Sequence, residues 1–193
     1  MNSKVYEVLD KITDSDDTTV GGGCASALSG AMAAGMLSMV AKLSKKKPVN
    51  FTEEQYDAII NELEQLNQQL QEGCVHDTKA YCMIVDAFKL PKGTDEEKAA
   101  RRAAVEAAAT RAAEVPLENG RLNARVYELG VQLRGNSNPA CLSDLTSALY
   151  LAQGGVKDCV LNINANLGLI KKEETIASLK EAMLELLLQA ICY

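Results

Sequence analysis

Tryptophan is absent from this 193-residue chain, phenylalanine occurs only twice, and His76 is the single histidine. With no aromatic platform for bases and a formal net charge of -6, the chain lacks what a nucleic-acid surface needs, and the same charge disfavours an anionic membrane. One histidine and six dispersed cysteines (Cys24, Cys74, Cys82, Cys141, Cys159, Cys192) with no CxxC pair leave nothing to build a metal centre from, so no metal is expected. Most of those cysteines sit inside helical patterns, and they are expected as free, largely buried thiols of a reducing compartment. The glycines of the chain are not followed by GK[ST], and no apolar strand precedes them, which excludes a P-loop and a dinucleotide fingerprint. No Ser-His-Asp arrangement, internal repeat or low-complexity linker is present. The opening MNSKVYEVLDKI carries charges at helical spacing and lacks a signal-peptide core, so the cytoplasm is the expected location.

The chain is organised around VGGGCASALSGAMAAGMLSMVAKL, from Val20 to Leu43. After three glycines comes a run of Ala, Gly, Ser and Met without proline or, from Cys24 to Ala41, charge. Such a run is helical, and Ala27, Gly30, Ala31, Ala34 and Ser38 place small side chains on shared faces where other helices can approach closely. On length alone it could cross a membrane. Its small side chains gain little from hydrocarbon and no Trp or Tyr anchors flank it, so the expected role is the buried centre of a helical bundle. Gly21, Gly22 and Gly23 admit two readings: a tight turn, since glycine reaches angles closed to other residues, or a cradle of backbone amides at a helix N-terminus for a ligand oxygen.

Around that centre the sequence predicts further helices and no strand, hence one all-α domain over residues 1–193. A short amphipathic helix runs from about Ser3 to Ile12, with Val5, Val8, Leu9 and Ile12 on one side. Lys45, Lys46 and Lys47 before Pro48 read either as a solvated cap complementing the helix dipole or as an attractor for a polyanion. Thr52 caps a long helix that ends at Leu90, Pro91 and Gly93. Thr94 caps the next, an alanine-rich helix that Pro116 is expected to kink or restart. After the break Arg134 to Pro139, with Asn138 as cap and Pro139 at the first helical position, a core helix starts near Ala140, and a charged break at Lys171 precedes a final amphipathic helix through Leu179 to Leu188.

The long helix contains the most informative anomaly. Its apolar stripe steps through Tyr56, Ile59, Leu63, Leu66, Leu70 and Cys74, then Tyr81, Ile84 and Phe88, and the position missing from the pattern is Asp77. Burying an ionised carboxylate is costly unless it is paired or protonated. Asp77 is therefore either paired with a cation, such as Lys79 of a neighbouring chain, or an acid/base group whose pKa desolvation has lifted toward neutrality. His76 points about 100° away round the helix and reads as a rim residue. On the later core helix, Ser143 and Asp144 in the first turn suit dipole complementation and capping. Asp158, Asn162 and Asn166 draw a polar line down the same helix, either bridging helices or holding a polar ligand.

Five segments in order and register resemble the cyclodeaminase/cyclohydrolase family of folate one-carbon enzymes. They are GGGCASALSGAMAAGMLSMVAKL; DTKAYCMIVDAFKLPKGTDEEKAARR with its Asp77-x-x-Ala80-Tyr81 core; EVPL at Glu114 to Leu117; GNSNPACLSDLTSA at Gly135 to Ala148; and LNINANL at Leu161 to Leu167. The family includes the C-terminal domain of formiminotransferase-cyclodeaminase and stand-alone bacterial methenyltetrahydrofolate cyclohydrolases. The resemblance implies an all-helical homodimer with a folate pocket near the interface, a tetrahydrofolate derivative as substrate and no bound cofactor. It implies Asp77 as the proton donor or acceptor, and Gly21, Gly22, Gly23, Cys24, Ser143, Asp144, Asn162 and Asn166 as pocket residues. Val20 and Cys24 stand where the family usually has proline and serine, and Leu169 where it often has aspartate. The expected activity is hydrolysis of 5,10-methenyltetrahydrofolate to 10-formyltetrahydrofolate. The alternatives are formiminotetrahydrofolate cyclodeamination, with release of ammonia, and a folate-binding bundle without turnover.

Overall fold

A computed structural model describes residues 3–191, which form six α-helices and, among the described residues, no strand. The helices are α1 (Ser3–Thr13), α2 (Gly22–Lys45), α3 (Glu53–Lys89), α4 (Asp95–Gln132), α5 (Leu142–Leu167) and α6 (Glu173–Ile191), with a 3-10 turn, Pro139–Cys141, leading into α5. The glycine-led helix α2 is the centre: α3, α4 and α5 pack against it, and α6 closes the far side against α4 and α5.

Small residues set this arrangement. Ala27, Ala33, Ala34, Leu37, Val40 and Ala41 of α2 are wholly buried, so its lack of charge serves a protein core. Close approach is most evident at Gly30 and Gly155, where a Cβ on either would strike the side chain of Asn123. Asn123 of α4 therefore sits between α2 and α5, donating from Nδ2 to the carbonyls of Ser26 on α2 (3.3 Å) and of Asn119 in its own helix (2.9 Å). Asn119, one turn earlier, donates to Gly73 of α3. Each bond satisfies a polar group that burial would otherwise penalise by about 1–3 kcal/mol.

The caps fall where sequence places them. Thr52 and Thr94 each form a capping box, with Gln55 and Glu97 respectively. Lys45 bonds Asp57 of α3 at 2.6 and 2.7 Å, so this first lysine of the basic run joins two helices. Three expectations need correction. Pro116 neither restarts nor interrupts α4, which runs through it. Of the predicted apolar side of α1, Val8 packs on the core while Leu9 and Ile12 stay about half exposed; the side chain of Val5 lies outside the described residues. Cys24 and Cys74 are joined as a disulfide rather than free, because the first turn of α2 lies directly on the buried stripe of α3. Cys82, Cys141 and Cys159 are free thiols, and Cys192 lies outside the described residues.

Candidate active site

The N-terminus of α2, the middle of α3 and the C-terminal half of α5 converge on a cavity of about 220 Å³. The helix start leaves the amides of its first turn without intrahelical acceptors, and no side chain caps it. One of those amides, Cys24 N–H, donates to the Asp77 carboxylate. The neighbouring helices are pressed together at this point: a Cβ on Gly23 would collide with that carboxylate, and one on Gly22 would lie 3.1 Å from the side-chain amide of Asn162. Gly22 and Gly23 thus serve close approach rather than unusual backbone angles, since among the described residues only Gly135 has positive φ.

Asp77 is half-buried, and burial raises its pKa above the ordinary carboxylate value, partly opposed by the bond from Cys24. No Lys or Arg pairs with it among the described residues, so the cation-paired alternative is not realised within the chain. Asn162 and Asn166 project from α5 into the same cavity. Asn166 uses both donors of its Nδ2, on Ala112 O at 3.1 Å and Asn162 O at 2.9 Å, and Asn162 uses one of its two, on Asp158 O at 2.7 Å. The side-chain oxygens are left as acceptors for a ligand. His76 is exposed, one position from Asp77 and outside the cavity lining.

Beneath the glycines, Ser26 Oγ donates to Gly23 O at 2.7 Å and accepts from Cys159 Sγ at 3.4 Å. Burial pushes the Cys159 thiol up to about 12, so it is held as a neutral donor. At the mouth the hydroxyls of Thr18 and Tyr81 share a 2.9 Å hydrogen bond between the loop before α2 and α3.

The structure gathers Asp77, Gly21, Gly22, Gly23, Asn162 and Asn166 into one cavity. It does not bring in Ser143 and Asp144. They open α5 at its other end, roughly 27 Å along the axis from Asn162 at 1.5 Å per residue, where Asp144 complements the helix dipole. Cys24 contributes only its amide, because its side chain is fully buried in the disulfide. Sequence reasoning passed over Thr18, Thr19 and Ala112, which also line the cavity, and read Tyr81 and Ile84 as members of the apolar stripe rather than as lining. The signal for Tyr81 was available, since it stands four residues past Asp77 on the same helical face.

A helical bundle with an unpaired carboxylate facing a helix N-terminus defines the class, and comparison gives the lineage. Residues 4–185 match the family described as formiminotransferase-cyclodeaminase, and the chain belongs to that family. It is 35% identical over 167 residues to the methenyltetrahydrofolate cyclohydrolase of Methylorubrum extorquens, covering 86% of this chain and 79% of that one. It is 28% identical to the formimidoyltransferase-cyclodeaminase of Mus musculus over 148 residues, 76% of this chain but 27% of that longer protein. The formiminotetrahydrofolate cyclodeaminase structure from Thermotoga maritima has the same fold, with a TM-score of 0.84 at 24% identity over 96% of this chain and 89% of that one.

Proposed function

We propose that this protein hydrolyses 5,10-methenyltetrahydrofolate to 10-formyltetrahydrofolate, with Asp77 as the acid/base group. The observation that carries the reading is the Asp77 carboxylate, desolvated, without a basic partner among the described residues, and open to a cavity lined by backbone amides and asparagines. The relative from Methylorubrum extorquens supports the direction of the reaction.

The substrate is a cation in which one carbon bridges N5 and N10. Ionised Asp77 stabilises that charge and accepts a proton as water adds to the bridging carbon, giving a neutral carbinolamine. The C–N5 bond then breaks, its electron pair going to N5. Asp77 returns the proton to N5, and the carbinol oxygen loses its own to solvent as the formyl C=O forms on N10. One proton is released overall. The oxygens of Asn162 and Asn166 accept from the N–H groups of the pterin, and the step calls for no cofactor. Ser143 and Asp144 have no part in it within one chain.

The animal cyclodeaminase relatives favour a second reading, in which N10 attacks a formimino carbon and Asp77 protonates the departing ammonia. We place the protein in the cytoplasm as a homodimer. The dimer is supported by an uncharged stripe on α2 open to solvent, where Met32 and Met39 are 55% and 41% exposed. Ultraviolet absorbance separates the readings. Loss of the methenyl band above the spontaneous rate establishes the cyclohydrolase, growth of that band from 5-formiminotetrahydrofolate the cyclodeaminase, and binding without either a non-catalytic bundle.

A further inference from the structure

The cavity at Asp77 is smaller than the 300–1,000 Å³ usual for ligands of folate size, so a whole folate must extend beyond it. The face of α3 that carries Asp77 continues through Tyr81 and Ile84 to Phe88, in steps of four, three and four residues. Tyr81 and Ile84 line the first cavity, and Phe88 lines a second, of about 390 Å³. Ile84 of the first cavity and Leu169 of the second pack against the same buried cluster of Ala87, Val105 and Ala108, so the two cavities border one patch of core. From Asp77 to Phe88 the helix rises roughly 16 Å at 1.5 Å per residue.

The second cavity is basic. Arg101, Arg102 and Lys171 line it, against one acid, Glu106. Glu106 is already engaged, with Oε1 accepting from the backbone amides of Lys171 (2.8 Å) and Lys172 (2.9 Å). Arg101 lies over the Phe88 ring, 5.3 Å from its centroid, and spends two of its five donors on Phe88 O, at 3.1 and 2.9 Å. Arg102 has no ion pair among the described residues. The cavity on the opposite flank of the site has the reverse character, with Glu7 and Glu72 against Lys11.

We propose that the substrate lies along this face of α3, with its one-carbon bridge at Asp77, its aminobenzoyl ring over Tyr81 and Ile84, and its glutamate carboxylates between Arg102 and Lys171. This rests on the folate reading above. It makes the basic cavity the determinant of affinity for the anionic tail and leaves the chemical step to Asp77.

The test compares the wild type with the R102Q/K171Q double variant on three forms of the methenyl substrate: without glutamate, with one glutamate, and with three. The variant is expected to raise KM for the triglutamate about tenfold or more, since charge-assisted bonds to carboxylates are lost, and to leave kcat within twofold. The form without glutamate should show no change, and the R102K/K171R variant should restore most of the triglutamate affinity. K11Q, in the cavity on the opposite flank, should leave all three KM values as they are. Turnover by the wild type with equal KM values in R102Q/K171Q overturns the tail site alone. Absence of wild-type turnover on all three forms overturns the folate hydrolase reading and the tail site with it.

Discussion

Asn166 donates its side-chain amide to the carbonyl oxygen of Ala112, 3.1 Å away, and that carbonyl is the one Pro116 deprives of its helical donor. In an uninterrupted helix, residue 116 would supply the N–H that bonds the oxygen of residue 112. Proline has none, so α4 presents a free acceptor at the wall of the cavity, and α5 fills it with an active-site asparagine. The EVPL segment thus acts on the site from a neighbouring helix.

Replacing Pro116 with alanine returns the N–H, and the helix competes with Asn166 for the Ala112 oxygen. P116A is expected to gain on the order of 1 kcal/mol in stability, part of the interior-proline cost being offset by the lost side-chain bond. It should also raise KM about tenfold, because Asn166 is no longer held. Chemical denaturation and steady-state kinetics on one preparation check both.

Gly23 is predicted to tolerate no side chain. A methyl there meets the Asp77 carboxylate, so G23A must move either the acid or the start of α2. Turnover should drop by about a hundredfold or more, as expected when a reacting group is displaced by about 1 Å. G21A, with open space around its Cβ, should keep most of the activity. Kinetics of the two variants side by side decide it.

Burial raises the Asp77 pKa above its unfolded value, so the native state holds that proton more tightly than the unfolded chain does. The stabilisation is present below the unfolded carboxylate pKa and is lost as pH rises through the folded one. At neutral pH the ionised group is therefore a cost that asparagine does not carry. D77N should melt at a higher temperature than the wild type at pH 7, and the difference should shrink as pH falls through the carboxylate range. Calorimetry across that range checks it. The acidic limb of the wild-type rate profile should likewise lie above the ordinary carboxylate range.

The Cys24–Cys74 bridge closes a loop with a sequence separation of 50, worth about 4 kcal/mol on a chain-entropy view. Reduction should lower the denaturation midpoint and release two additional titratable thiols in the unfolded protein. An identical thiol count with and without reductant contradicts the bridge.

Much of this was legible in sequence because local chemistry and tertiary structure agree. Both capping boxes bound their helices where Thr52 and Thr94 stand, and Asp77 could be found as the one acid in an otherwise apolar stripe. What was not legible depended on partners far along the chain. The path of α4 through Pro116 depends on Asn166, fifty residues later. The disulfide requires α2 to lie on α3. The exclusion of Ser143 and Asp144 from the cavity follows from the continuity of α5, one helix from Leu142 to Leu167 whose length holds its first turn far from Asn162. Nothing local in sequence marks Asn119 and Asn123, whose place depends on glycines of other helices, Gly73 against the first and Gly30 and Gly155 against the second.

The most direct measurement of the central claim is the decay of the 5,10-methenyltetrahydrofolate absorbance band with wild-type protein and with D77N. Decay well above the spontaneous rate is expected for the wild type, and a loss of about a hundredfold or more in the variant, with its helical spectrum unchanged. Equal rates from the two folded proteins would contradict it.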